Sequence, residues 1–228
     1  MAARCVEISA IAPSAENKST LTPAISQWER VPKAVREIAE RCPLHRSIPS
    51  ARKLAVHLKR GGIIAYPTES CYGLGCDPAN RQAVLRILKL KQRPQRKGLI
   101  LIASHYHQVA CYLQPLTLNE QAKLKNDDAQ AVTYLLPTRH STPRWLRGEH
   151  DTLAVRLTAH PFARQLCRSA GSALVSTSAN RSGQRPAKTY AECQRLFGKK
   201  LWVLQGRVGK RKQPSTICAW SDGKIIRK

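Results

Sequence analysis

The stretch GGIIAYPTESCYGLGCDP, Gly61 to Pro78, starts as an apolar run and turns at Pro67 into a polar loop. Ile63-Ile64-Ala65-Tyr66 reads as a strand buried on both faces. A strand that stops at proline and then presents Thr68, Glu69 and Ser70 forms the rim of a site. Working outward, Ser50 can cap a helix whose apolar positions Ala51, Leu54, Ala55 and Leu58 follow helical spacing. Gly61 or Gly62 ends it. On the other side Asn80 can cap a helix with Val84, Ile87, Leu88 and Lys91 on one side, and Pro94 stops it. LILIA at 99–103, VTYLL at 132–136, LAVRL at 153–157 and ALVST at 173–177 read as further strands. Helices are expected from about Ser104 to Leu113, from Pro161 to about Ala170, and from Thr189 to near Gly198. STICAW and KIIR flank Ser221-Asp222-Gly223, a hairpin signal. Strands alternate with helices, yet hairpins occur. The expectation is one α/β domain with a mixed, twisted, open sheet and flanking helices.

Charge bounds the partners. The 228 residues carry 39 Lys and Arg against 14 Asp and Glu, a net +25, which favours polyanions: nucleic acid, nucleotides or an anionic membrane surface. Residues 1–46 hold a net +2, so the remainder holds +23. Residues 1–46 read as a poorly structured extension, with a possible short helix in SQWERVPKAVREIAER; residues 47–228 read as the catalytic domain. No segment approaches the ~20 apolar residues of a membrane span, and the first thirty residues lack a secretory pattern. A cytoplasmic protein with no membrane association is expected. The eight cysteines are scattered without a Cys-x-x-Cys pair. They read as small buried thiols, and no metal site is expected. His105 and His107 read as surface residues.

Four polar stretches follow strands or end helices: Thr68-Glu69-Ser70, Lys91 to Lys97, Ser176 to Asn180, and Lys210 to Thr216. In open α/β sheets such loops form the ligand crevice. Lys91 and Arg93 flank Gln92 just before a helix-breaking proline, where both side chains can turn toward one anion. Arginine grips a phosphate bidentately and lysine adds a mobile point charge. The ordinary phosphate loop, the dinucleotide-binding glycine motif and the hydrolase elbow are all missing. A bound nucleotide would be held by scattered Lys, Arg, Ser and Asn.

Taken together, AYPTES-YGLG-D, LKLKQRPQRKGLILIA, TPRWL-G, LAVRLTAHP and LVSTSANRSG resemble the YrdC/Sua family in its short bacterial form, over about residues 47 to 228. The resemblance implies a YrdC-like domain with a concave basic cleft. It implies an L-threonylcarbamoyladenylate synthase: L-threonine, bicarbonate and ATP would give threonylcarbamoyl-AMP and pyrophosphate, with a divalent ion such as Mg²⁺. Partner proteins would transfer the threonylcarbamoyl group to tRNA beside the anticodon. The family signature Lys-x-Arg with Ser-x-Asn falls on Lys91, Arg93, Ser178 and Asn180. By resemblance these four, with Arg227, bind ATP, and Lys91 and Arg93 are catalytic. Thr68, Thr133, Arg156, Ser176 and Ser215 fall on the threonine side. No residue stands out as a covalent nucleophile.

One departure stands out. Many relatives carry an aromatic-Pro-Gly-Pro run before the VT strand, where this chain has Asp127-Asp128-Ala129-Gln130-Ala131. Two other readings share the fold: a non-catalytic protein binding double-stranded RNA in ribosomal RNA maturation, and a carbamoyl-phosphate-handling enzyme, which would need further domains.

Overall fold

The computed structural model describes residues 50–126 and 131–227. The helix expected within 26–41 and the altered turn at 127–130 lie outside the described residues. Among the described residues nine strands form one mixed sheet. In chain order they are β1 (Ile64–Pro67), β2 (Tyr72–Gly75), β3 (Ile100–Ala103), β4 (Val132–Pro137), β5 (Thr152–Leu157), β6 (Leu174–Ser178), β7 (Trp202–Val203), β8 (Thr216–Ala219) and β9 (Ile225–Arg227). Their order across the sheet is β7-β1-β2-β6-β3-β5-β4-β8-β9. The β3–β5, β4–β8 and β1–β7 pairs are parallel; β1–β2, β2–β6, β3–β6, β4–β5 and β8–β9 are antiparallel.

Among the described residues the α-helices are α1 (Ala51–Lys59), α2 (Arg81–Lys91), α3 (Leu118–Asn126), α4 (Arg144–Arg147), α5 (Pro161–Ala170) and α6 (Tyr190–Phe197). The capping residues act as their chemistry dictates. Ser50, Asn80 and Thr189 each accept a backbone N–H from the first turn of α1, α2 and α6. Pro161 opens α5, and Gly171 closes it at φ +67°. Two expectations are corrected. Residues 104–113 form two short 3-10 turns, Tyr106–Gln108 and Ala110–Tyr112, closed by three-residue bonds such as Val109 N–H to Tyr106 O at 2.9 Å, with the Ser104 N–H donating to the Gln108 side chain at 2.8 Å. YGLG, read as loop, is a fully buried strand.

Strand alternation sorts the sheet's two faces. On β5, Leu153, Val155 and Leu157 enter a core with Ala83, Val84, Ile87 and Leu88 of α2. Thr152, Ala154 and Arg156 face the opposite way and line a cleft. On β4, Tyr134 and Leu136 join that core while Leu135 lines the cleft. A second cluster packs α1 and α5 on β1, β3 and β6 through Leu54, Phe162, Leu166, Tyr66, Ile102 and Leu174.

The sheet order also explains the last long connection. β7 and β8 lie seven strand steps apart, a distance on the order of 30 Å at ~4.8 Å per step. The twelve residues 204–215 bridge them, and twelve residues reach about 40 Å at most. The segment therefore runs as a strap across the sheet. It crosses the β1–β2 turn, where Gly209 N–H bonds Thr68 O at 2.9 Å and Arg211 N–H bonds Glu69 O at 3.0 Å.

Candidate active site

The cleft holds about 770 Å³, ample for a nucleotide and a small amino acid. Its lining includes eight lysines and arginines and no Asp or Glu. The floor is apolar, with Leu135, Ala154 and Ile217 on neighbouring strands. Cationic walls over an apolar floor suit a ligand with an anionic part and a flat hydrophobic part.

At one end stands the Thr68 turn. Thr68 N–H and Oγ1 both donate to Cys71 O, at 3.0 and 2.8 Å. Its hydroxyl oxygen keeps lone pairs for a ligand donor. Gly73 on β2 leaves the wall open: a Cβ there would come 3.2 Å from the Thr68 methyl. Ser176 and Arg156 complete this end. Glu69 sits behind Arg156, their carboxylate and guanidinium 3.2 Å apart. Burial would raise the Glu69 carboxyl, but the Arg156 charge and hydrogen bonds, including one from Thr158, hold it below the ordinary range.

The Lys-x-Arg pair is divided. Arg93 lines the cleft, fixed by Nε and Nη2 bonds to Gly98 O at 3.2 and 3.0 Å. Lys91 is 3% exposed and turns under the 178–180 loop. Its ammonium donates to Ser178 O, Asn180 O at 2.9 Å and Asn180 Oδ1 at 3.0 Å. Burial and the neighbouring Arg93 push it down to about 8. Ser178 Oγ donates to Asn180 Oδ1 at 2.6 Å, tightening the same loop. Lys91, Ser178 and Asn180 thus form one hydrogen-bonded cluster, while Arg93 is held separately; Arg93 and Ser178 line the cleft. The cause of the division is Gln92, left-handed at φ 52°, ψ 44°, which swings Arg93 away from the helix axis of Lys91.

The opposite wall comes from the strap and β9. Thr133, fully buried, donates to Ser215 Oγ at 2.8 Å. Arg227 Nη2 donates to Ser215 O at 2.9 Å, and both residues line the cleft. Thr133 itself lies beneath the lining. Sequence reasoning passed over three cleft cations, Arg147, Arg185 and Lys188. Arg147 falls at the unmatched position of TPRWL-G, and Arg185 and Lys188 in the loop that follows Ser-x-Asn; their exposed-looking context gave no signal of convergence. No group of three or more His, Cys, Asp or Glu that could hold a metal occurs among the described residues. No helix among them is long and apolar enough to cross a membrane.

Fold and cleft define an α/β protein with a cation-walled pocket for an anionic ligand. The chain belongs to the Sua5/YciO/YrdC family, described as "Telomere recombination", whose pattern it matches over residues 56–228. It is 51% identical over 177 residues to a threonylcarbamoyl-AMP synthase of Methylobacillus flagellatus, covering 78% of this chain and 98% of that one. It is 48% identical over 174 residues to the Thiobacillus denitrificans protein of the same name, covering 76% and 93%. Among solved structures it resembles P. abyssi Sua5 complexed with L-threonine, with a TM-score of 0.69 and 27% identity, over 77% of this chain. The match spans about half of that Sua5 chain, 52%.

Proposed function

We propose that this chain is an L-threonylcarbamoyladenylate synthase, a nucleotidyltransferase acting in tRNA modification. The observation that carries the reading is 51% identity across 98% of a threonylcarbamoyl-AMP synthase. The cleft fits it: one cavity is lined by Thr68, Ser176 and Arg156 together with Arg93, Ser178 and Arg227. These relatives favour the synthase over the RNA-binding alternative.

In this reading the threonine amine attacks the bicarbonate carbon, and water leaves to give a carbamate. The carbamate oxygen then attacks the α-phosphorus of ATP. The bond to the β-phosphate oxygen breaks, releasing pyrophosphate and threonylcarbamoyl-AMP. Thr68, Ser176 and Arg156 receive threonine, with Thr133 and Ser215 supporting the far wall. Arg93 and Arg227 face the phosphates, and Ser178 offers its hydroxyl. Lys91 sets the position of Ser178 and Asn180 while placing a positive charge beneath the phosphate site. Pre-positioned cations stabilise charge that grows on the phosphates and on pyrophosphate, and confinement supplies much of the rest. The cleft lining has no carboxylate to ligate Mg²⁺. It therefore does not fit a resident magnesium site, and the steps assigned to these residues do not use one.

The product is a reactive mixed anhydride, so proteins that transfer its threonylcarbamoyl group to tRNA must follow. Threonine- and bicarbonate-dependent release of pyrophosphate from ATP tests the proposal. Pyrophosphate release that ignores threonine, or no release by the folded chain, overturns it.

A further inference from the structure

Among the described residues the cleft's cations have one buried acidic neighbour, and it does not face the ligand. Arg156 Nη2 and Glu69 Oε2 are 3.2 Å apart, with the two side chains 10% and 13% exposed. The other carboxylate oxygen of Glu69 accepts the Thr158 hydroxyl at 2.8 Å. Thr158 is wholly buried. Glu69 is also fixed from behind: its carbonyl takes the Arg211 N–H, and Gly209 packs on its backbone so closely that a Cβ would come 2.7 Å from that carbonyl. Two chain segments thus hold Glu69: residues 156–158 its carboxylate and residues 209–211 its backbone. The guanidinium it holds is not saturated. Arg156 Nε is buried and has no hydrogen-bond partner, while Arg156 itself lines the cleft. The Arg156 side chain keeps 10% of its surface exposed where it lines the cleft, so the guanidinium edge away from Glu69 can take an acceptor from a ligand.

We propose that Glu69 is a positioning residue for the amino-acid substrate: by fixing one edge of Arg156 it aims the remaining N–H groups at the threonine carboxylate. This rests on the synthase reading above. Arginine suits the task because its planar fork can serve an internal carboxylate on one edge and a substrate carboxylate on another. Without the internal partner the side chain regains rotamer freedom, and a ligand must order it on binding.

The experiment measures pyrophosphate release with threonine and ATP varied in turn, together with melting temperature. Glu69→Gln keeps shape and removes charge. It is expected to raise the threonine KM at least tenfold and leave the ATP KM within twofold. Arg156→Lys is expected to show the same selectivity. The double variant Glu69→Gln/Arg156→Lys should lose no more than Arg156→Lys alone, because Glu69 acts through Arg156. Thr158→Val, which loosens Glu69 without removing either charge, should give the same selectivity at about threefold, and it carries the test if Glu69→Gln does not fold. An unchanged threonine KM in a folded Glu69→Gln overturns the inference. So does equal loss toward both substrates with a lowered melting temperature, which marks a purely structural staple. The unaltered chain separates the two claims. If it shows no threonine-dependent release, the synthase reading fails. If it does and the variants show no threonine selectivity, only the role of Glu69 fails.

Discussion

Lys91 shows how a residue type visible in the sequence can take a position that is not. Two cations flanking a helix break suggested a shared anion. The fold instead sends Arg93 to the cleft wall and buries Lys91 under the Ser178–Asn180 loop. No local pattern encodes that partner, which lies 87 residues away in the chain. The consequence is a pH dependence with two opposite signs. Lys91 is held at about 8 against an ordinary 10.5. Between those values the unfolded chain binds more protons, so its contribution makes stability rise with pH through that window. Nucleotide binding should move the other way. The charge and the loop geometry are complete below about pH 8 and fade above it. Isothermal titration of ATP from pH 7 to 9.5 should show weakening with one ionisation near 8, and Lys91→Met should bind at least tenfold more weakly with that ionisation gone. An unchanged pH profile in Lys91→Met would remove Lys91 from the site. Thr68 is a second case. Its Oγ1 already donates to Cys71 O, so Thr68→Val removes a turn bond and, in the proposed reading, a ligand acceptor together. Cys71 O keeps the Thr68 N–H, so the stability cost should be about 0.5–1.5 kcal/mol. The threonine KM should rise more than the ATP KM in steady-state assays; equal rises would detach Thr68 from the amino acid.

At the scale of elements, legibility followed local chemistry. The caps Ser50, Asn80 and Thr189 and the closing Gly171 were readable because each helix end is satisfied by its own neighbours. β2 was not, because glycines at 73 and 75 look like a loop. They are strand residues held bare by tertiary contact: a Cβ at Gly75 would lie 2.7 Å from Val175 O and 2.8 Å from the Tyr66 ring. The 204–215 strap was equally hidden, since its path is dictated by where β7 and β8 sit. It is tied down from both sides. Tyr72 Oη donates to Gly206 O at 2.9 Å, and Gly209 bonds and packs on the Thr68–Glu69 turn. Gly209→Val should therefore lift the strap from the cleft rim. Overpacking of this kind costs about 1–3 kcal/mol. Chemical denaturation should report that loss, and the threonine KM should rise because Ser215 travels with the strap. A variant as stable as the parent would show that the strap yields freely.

At the scale of the whole molecule, two quantities shape the behaviour: where the family match begins and how the charge is spread. The match starts at residue 56, and the site residues all follow it. We propose that residues 1–46 are dispensable for catalysis. Their deletion should leave pyrophosphate release within about threefold of the full chain, a difference of ~0.65 kcal/mol; a folded but inactive truncation would place part of the site in that segment. The charge leads to the last expectation. Residues after 46 carry a net +23 of the total +25. The cleft accounts for eight of the cations, several already bonded to backbone carbonyls, as Arg93 and Arg227 are. Cations outside the cleft remain to meet a polyanion. Aromatic residues make up only 5% of the chain, and Trp145, Trp202 and Trp220 each lie against a cation of the protein itself. Base stacking is therefore poorly provided for. Phosphate contacts position a chain on RNA without reading its sequence. Binding of tRNA and of an unrelated duplex should accordingly be similar in strength and steeply salt-dependent. If about five phosphates are neutralised, log affinity should fall with log salt at a slope near −4 to −5. Titrations of both RNAs at several salt concentrations measure the slope and the preference together. A flat slope, or tight binding of one RNA alone, would mean that this surface reads structure and does more than supply charge.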